Sequence, residues 1–245
     1  MEGFLHTLAA SVVLWSVASA SQLPPYIKTC AKNNPNLNDC IIQHGREALP
    51  YLVGGDPKIK FPALDPMRIP EVKFDHGLTV TSRDVEITGL RDANIDSIRV
   101  DLDKQHVESE YSIPRLQIVS NYEVTGKILS LPIQGNGVSN FTFVGNKAKH
   151  SFDFDLVERE GKKYAVSKNG KLQFDLDQAY FSLSNLFNGD QTLGDAMNAA
   201  INENWKDVVS ELKPDIEAVV QDIIKGFMDS LASNYSFDEI FPDTD

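Results

Sequence analysis

Between Asp195 and Leu231, apolar residues recur at Ile201, Trp205, Val208, Leu212, Ile216, Val219, Ile223, Phe227 and Leu231, every third or fourth position. That spacing predicts one long amphipathic helix of about 55 Å, longer than a small domain is wide. Val220, Ile224 and Met228 widen the apolar face towards its end, so the helix needs covering from several directions. Pro214 interrupts the run and is expected to kink or restart it, with Asp215 and Glu217 suiting a new first turn.

The cover lies upstream. From about residue 72 to 187 the apolar period is two: in SFDFDLVE (151–158) Phe152, Phe154 and Leu156 share one face while Asp153 and Asp155 share the other. KLQFDLDQAYFSL (171–183) repeats the scheme, and 85–90, 95–103, 107–112, 115–125, 127–133 and 138–145 resemble it. Such alternation predicts half-buried antiparallel strands in a meander with one wet face. Asn169-Gly170 reads as a strong hairpin turn and Glu160-Gly161 as a weaker one. The expected fold is α+β: a long, highly curved antiparallel β-sheet wrapped around one long C-terminal α-helix.

The amino-terminal part has its own signals. Residues 4–17 form an apolar run too short to span a bilayer, and Ala18-Ser19-Ala20 fits a signal-peptidase site. Residues 1–20 therefore read as a cleaved secretory signal, although the usual basic start is missing and a membrane anchor is the alternative. Cys30 and Cys40 lie ten apart, a spacing that in an oxidising compartment reads as one local disulfide, with two free thiols as the alternative. Residues 36–53 combine cap-type Asn and Asp with Ile41, Ile42, Leu49 and Leu52 at helical spacing, so a short helix pinned by the disulfide is expected. Gly54-Gly55 ends it. PALDPMRIP (62–70) then places three prolines in nine residues, which excludes a helix or a central strand and predicts an extended strap across the outside.

Little in the chain resembles a catalytic site. The Asp-x-Asp pairs 101/103, 153/155 and 175/177 fall on strand alternation and read as a solvated face. His44, His76, His106 and His150 belong to no metal-ligand motif, and there is no nucleophile elbow, phosphate loop or dinucleotide fingerprint. No metal or cofactor is expected, and the chain reads as a non-enzyme, a triad assembled from distant residues being the alternative. The net charge of −12, which becomes −11 once Glu2 is removed, disfavours nucleic acid and anionic membrane surfaces. No later stretch is long and apolar enough to insert stably in a membrane. Asn140-Phe141-Thr142 and Asn234-Tyr235-Ser236 are sequons, so Asn140 and Asn234 are candidate glycan acceptors.

The apolar inventory stands out. Several of the thirteen Phe fall on inward strand faces, at Phe141, Phe143, Phe152, Phe154 and Phe174, opposite a helix bearing Trp205 and Phe227. Pattern alone leaves two readings open: a packed core, or an apolar tunnel for a long lipophilic ligand.

Several separated stretches resemble one family in order. PALDPMRIP is similar to the proline strap of the takeout and juvenile-hormone-binding protein family of insects, IPRLQIVSNYEVTGKILSLPIQGNG (113–137) to its central strand pair, and NLFNGDQTLGDAMNAAINENWKDVVSELKP (185–214) to its helix entry. The resemblance spans nearly the whole mature chain and implies one tubular lipid-binding domain over residues 21–245. It implies a secreted, non-enzymatic monomeric carrier of juvenile-hormone-like, fatty-acid-like or quinone-like compounds, with circadian, feeding or chemosensory associations. The hormone-binding branch typically has a second disulfide, whose cysteines are absent here, and that departure favours the takeout branch. The residues expected to line the tunnel are those five Phe with Trp205, Val219, Ile223 and Phe227, and Tyr122 or Gln117 is expected to hold a polar end group. Two rivals are an extracellular protein-interaction or signalling module with a filled core, whose receptor the sequence leaves unknown, and a hydrolase of lipophilic esters.

Overall fold

The computed structural model describes residues 23–75 and 77–244. The signal-peptide reading and His76 lie outside them. Helix α1 (Leu37–Leu52) is followed by seven strands: β1 (Met67–Asp75), β2 (Leu78–Thr88), β3 (Asn94–Asp101), β4 (His106–Ile128), β5 (Leu131–Arg159), β6 (Lys162–Asp175) and β7 (Gln178–Leu183). Helices α2 (Gln191–Glu203), α3 (Trp205–Asn234) and α4 (Phe237–Ile240) complete the chain. All strand pairs are antiparallel, in the order β1-β2-β4-β5-β6, with β3 on one end of β4 and β7 on one end of β5. The sheet is open.

Several predicted strands merge into the two longest, β4 and β5, of 23 and 29 residues, which pair without a register shift from His106↔Asp153 to Ile128↔Leu131. Their buried phase nevertheless changes. Ser120, Tyr122 and Val124 are buried at even positions of β4 and Ile133 and Ser139 at odd positions of β5, whereas Ser109 on β4 and His150, Phe152 and Phe154 on β5 reverse this. The switch falls where Pro114 faces Gly145, whose φ is +66° and whose absent Cβ would overlap the Asp177 carboxylate. Asn146 Nδ2 donates to the carbonyls of Ile113 and Phe143 there, so the interrupted ladder keeps its partners. One strand pair thus turns one face to the interior along half its length and the other face along the rest.

Of the two turn expectations, one is corrected and one is met. Asn169-Gly170 lies inside β6, at a bulge opposite the Ser151–Asp153 step, with Asn169 at φ +53°. Left-handed backbone serves a bulge as well as a hairpin turn, and here α3 decides, because a Cβ on Gly170 would overlap the Gln221 amide. The weaker signal, Glu160-Gly161, is the actual β5–β6 turn, both residues at positive φ. The proline strap is shorter than expected, since β1 begins at Met67 and takes in Pro70. β1 pairs only with β2, and such an edge strand tolerates a residue without an N–H.

The carboxyl-terminal helix also differs in detail. It is broken at Asn204 (φ −110°, ψ 30°), and α3 continues through Pro214 without restarting. Pro214 is on the exposed face, beside exposed Ser210, where solvent takes the carbonyl that loses its N–H partner. α3 runs along β6, holding it through Glu217 Oε1, which accepts from the Phe174 N–H, and Asp229 Oδ1, which accepts from Ser167 Oγ. α2 covers the free edge of β7: Asn198 and Asn202, one turn apart, each accept from and donate to one backbone position, Leu183 and Phe181. α1 lies on β3, with Arg46 donating to the Ile95 carbonyl, and Cys30–Cys40 is a disulfide.

Candidate functional site

Two apolar clusters form where the sheet curls towards the helices. The larger joins Leu78 of β2, Tyr122, Val124 and Ile128 of β4 and Ile133 of β5 to Met197, Ile201 and Val208 of α2 and α3. The smaller joins Phe152 and Phe154 to Phe237 of α4, whose ring lies 5.9 Å from that of Phe154. Between them runs α3, in which Val208 is the one fully buried residue of thirty. Ile216, Val219, Ile223 and Phe227 are only half-buried.

The larger cluster encloses a cavity of about 90 Å³, bordered by Phe74, Tyr122, Phe141, Phe181, Leu183 and Leu212 among others. Its lining carries no charged side chain, and Ser82 and Tyr122 supply the polar atoms. Tyr122 Oη donates to the Ser184 carbonyl at 2.6 Å, and burial raises the pKa of this phenol. The arrangement suits an apolar guest and offers no activated nucleophile.

The residues predicted to bind ligand are spread along the molecule. Tyr122 and Phe141 border the cavity, and Phe143 stands edge-on to Phe181 at 5.9 Å beside it. Phe152 and Phe154 belong to the smaller cluster. Phe174 lies under the Lys213 ammonium, Trp205 under that of Lys206, and Phe227 packs against Phe61, the residue before the strap, at 5.5 Å. Val219 and Ile223 occupy the stretch of α3 between the clusters. Gln117 donates to exposed Asn140 at 2.9 Å. Asn234 donates to the Ser230 carbonyl, and its sequon continues into buried Tyr235 and Ser236. Phe74, Phe181 and Leu183 are not among the residues the sequence singles out; Phe181 and Leu183 fall on the opposite phase from Phe174, because the alternation resets at the turn between β6 and β7.

The Asp-x-Asp carboxylates meet cations or amides: Asp101 with Lys104, Asp153 with His106 and Asn169, Asp155 with Lys168, and Asp175 with Lys213. Among the described residues, one group of three potential metal ligands converges, Cys30, Cys40 and His44, and both its sulfurs are in the disulfide. No helix among those residues is long and apolar enough to cross a membrane.

Comparison with known proteins agrees with this architecture. The crystal structure of Epiphyas postvittana Takeout 1 superposes with a TM-score of 0.76 at 29% identity, over 88% of this chain and 100% of that one. The circadian clock-controlled protein daywake of Drosophila yakuba is 22% identical over 91% of this chain and 90% of its own length. A putative beta-carotene-binding protein of Schistocerca gregaria is 22% identical, covering 88% of each. The profile of the haemolymph juvenile hormone binding proteins matches residues 7–242, and with a match of that extent the chain belongs to the haemolymph juvenile hormone binding protein family.

Proposed function

We propose that this protein is a secreted carrier that holds a small lipophilic ligand between its sheet and its long helix. The observation that carries the reading is the charge-free cavity of the larger cluster, continued along α3 by an apolar face that the sheet leaves half-buried. Membership in a family of lipophilic-ligand carriers supports it. The relatives add context: one similar protein is named for beta-carotene and another for control by the circadian clock. Binding by apolar burial contributes about 25 cal/mol per Å², so about 400 Å² of ligand gives ~10 kcal/mol before ordering costs. No catalytic group is required. After loss of the signal, residues 21–245 act as one domain and as a monomer.

A filled-core interaction module is the second reading, favoured by the cavity's size, about 90 Å³ against the roughly 300 Å³ or more of ordinary ligand pockets. Organic extraction of the natively secreted protein, followed by mass spectrometry, separates the two. A stoichiometric lipophilic molecule is expected. An empty extract from protein that also refuses apolar fluorescent probes would establish the filled core.

A further inference from the structure

Midway along the molecule, the groove between β6 and α3 contains two buried polar atoms that the fold leaves unserved. His150 is 5% exposed, and neither its Nε2 nor the buried Oε1 of Gln221 makes a hydrogen bond of normal geometry; burial lowers the pKa of the imidazole, and the Gln221 amide facing it from α3 opposes this through a contact longer than a normal hydrogen bond. An orphaned buried polar atom is costly, and two bordering one space call for a shared partner. The space is a cavity of about 40 Å³, apolar on the Phe152 and Met228 sides. The Asn169 bulge brings Gly170 up to α3, where a Cβ would meet the end of the Gln221 side chain and displace its amide. His150 lies on β5 between Ile133 of the larger cluster and Phe152 and Phe154 of the smaller, so the notch stands between the two apolar clusters.

The chemistry of the two atoms specifies what would fit. Gln221 Oε1 accepts only, and His150 Nε2 donates in the tautomer that carries its proton there. A hydroxyl serves both at once, giving its proton to Gln221 and taking one from His150. A ketone or ester serves His150 alone, and a hydrocarbon serves neither. Anionic end groups are disfavoured: Lys168 and Lys225 border the notch, but Asp155 and Asp229 already pair with them. The volume exceeds the roughly 10–15 Å³ that a single water needs, so the notch has room for a hydroxyl.

We infer that His150 and Gln221 form the polar subsite of this carrier and select lipophilic alcohols, the hydroxyl seated in the notch and the hydrocarbon along the half-buried face of α3. This rests on the carrier reading above. Displacement of N-phenyl-1-naphthylamine from the mature protein by dodecan-1-ol and by its methyl ether tests it, since the ether keeps the acceptor and lacks the donor. The alcohol is expected to displace the probe at an about tenfold lower concentration, the penalty for leaving a buried acceptor unpaired. The preference should shrink to about twofold or less in Gln221→Met, close in shape to the native side chain, with ether affinity unchanged, whereas His150→Phe should weaken alcohol and ether alike and leave the preference in place. Equal displacement by alcohol and ether, or a preference that survives in Gln221→Met, would mean that solvent serves the two atoms; it would overturn the subsite and leave the carrier standing. A protein that binds neither the probe nor either ligand would overturn both.

Discussion

Asp65 shows how much one side chain settles in this fold. It is buried between Pro62 and Pro66 of the strap, accepts the N–H groups of Gly89 and Arg91 at 2.9 Å each, and has the Arg91 guanidinium at 3.3 Å. Burial alone would raise its pKa, but the two amides and the guanidinium outweigh that and hold the carboxyl below its ordinary value. Gly89, at φ +104°, has no room for a Cβ beside the Arg115 carbonyl, so the amide the carboxylate receives is fixed in place. Asp65→Ala strands two partly buried N–H groups and should cost about 2–4 kcal/mol in urea unfolding. The wild-type contribution is present above the ordinary carboxylate pKa and is lost as pH falls through the depressed folded value. His150 adds a second acid sensitivity at higher pH. Burial pushes its pKa down, the facing Gln221 opposing, so the unfolded chain takes up the proton first. Stability from this group is full above about pH 6.5 and declines as pH falls through that value towards the folded one. Stability should therefore drop between pH 7 and 5 and drop less in His150→Phe; identical slopes would assign the loss to other groups. His106, raised mainly by its bond to Asp153, works in the opposite direction, but it is too exposed to cancel the effect.

At the level of elements, the seams between helix and strand carry the site. Asn198 holds both backbone groups of Leu183 at 2.9 Å and Asn202 does the same for Phe181, so α2 takes the place of a missing eighth strand beside two residues of the cavity wall. Asn198→Ala should cost about 2–3 kcal/mol and speed amide hydrogen exchange at Leu183 while Phe181, still held by Asn202, stays protected. Equal protection at both positions would show that the edge is sealed by packing alone. Such seams are poorly legible in a sequence, because they join residues fifteen or more apart that carry no periodic signal. The period-two and period-three-and-a-half patterns did locate the strands, the long helix and the inward phase of Phe141, Phe143, Phe152 and Phe154. They failed where tertiary contact overrides local preference: Asn169-Gly170 bulges because α3 lies against it, and α3 tolerates Pro214 because that turn faces water. The phase switch at Pro114 and Gly145 was likewise hidden, since each half alternates correctly on its own. His150 read as an ordinary histidine because what sets it apart is a glutamine 71 positions away.

For the whole molecule, the size of the cavity sets the mechanical problem. A guest larger than about 90 Å³ requires something to move, and α3 is the element least committed to the core. Its carboxyl-terminal half is fastened to β6 by polar contacts and to the segment leading into the strap by the Phe61–Phe227 ring contact, so that contact is the place where loading and closure meet. A ligand at one hundred times its Kd adds about 2.7 kcal/mol to the folded state, which for a chain of this size is about 5–10 °C in Tm. The wild-type protein should show that rise with dodecan-1-ol. Phe227→Asp places a charge where the guest lies against α3, and it should unfold cooperatively, with its Tm unmoved by the same addition. An equal rise in the variant would place the guest away from the carboxyl-terminal half of α3, within the α2 end alone. No rise in either protein would mean that the half-buried helix face is served by solvent and that the interior takes no guest.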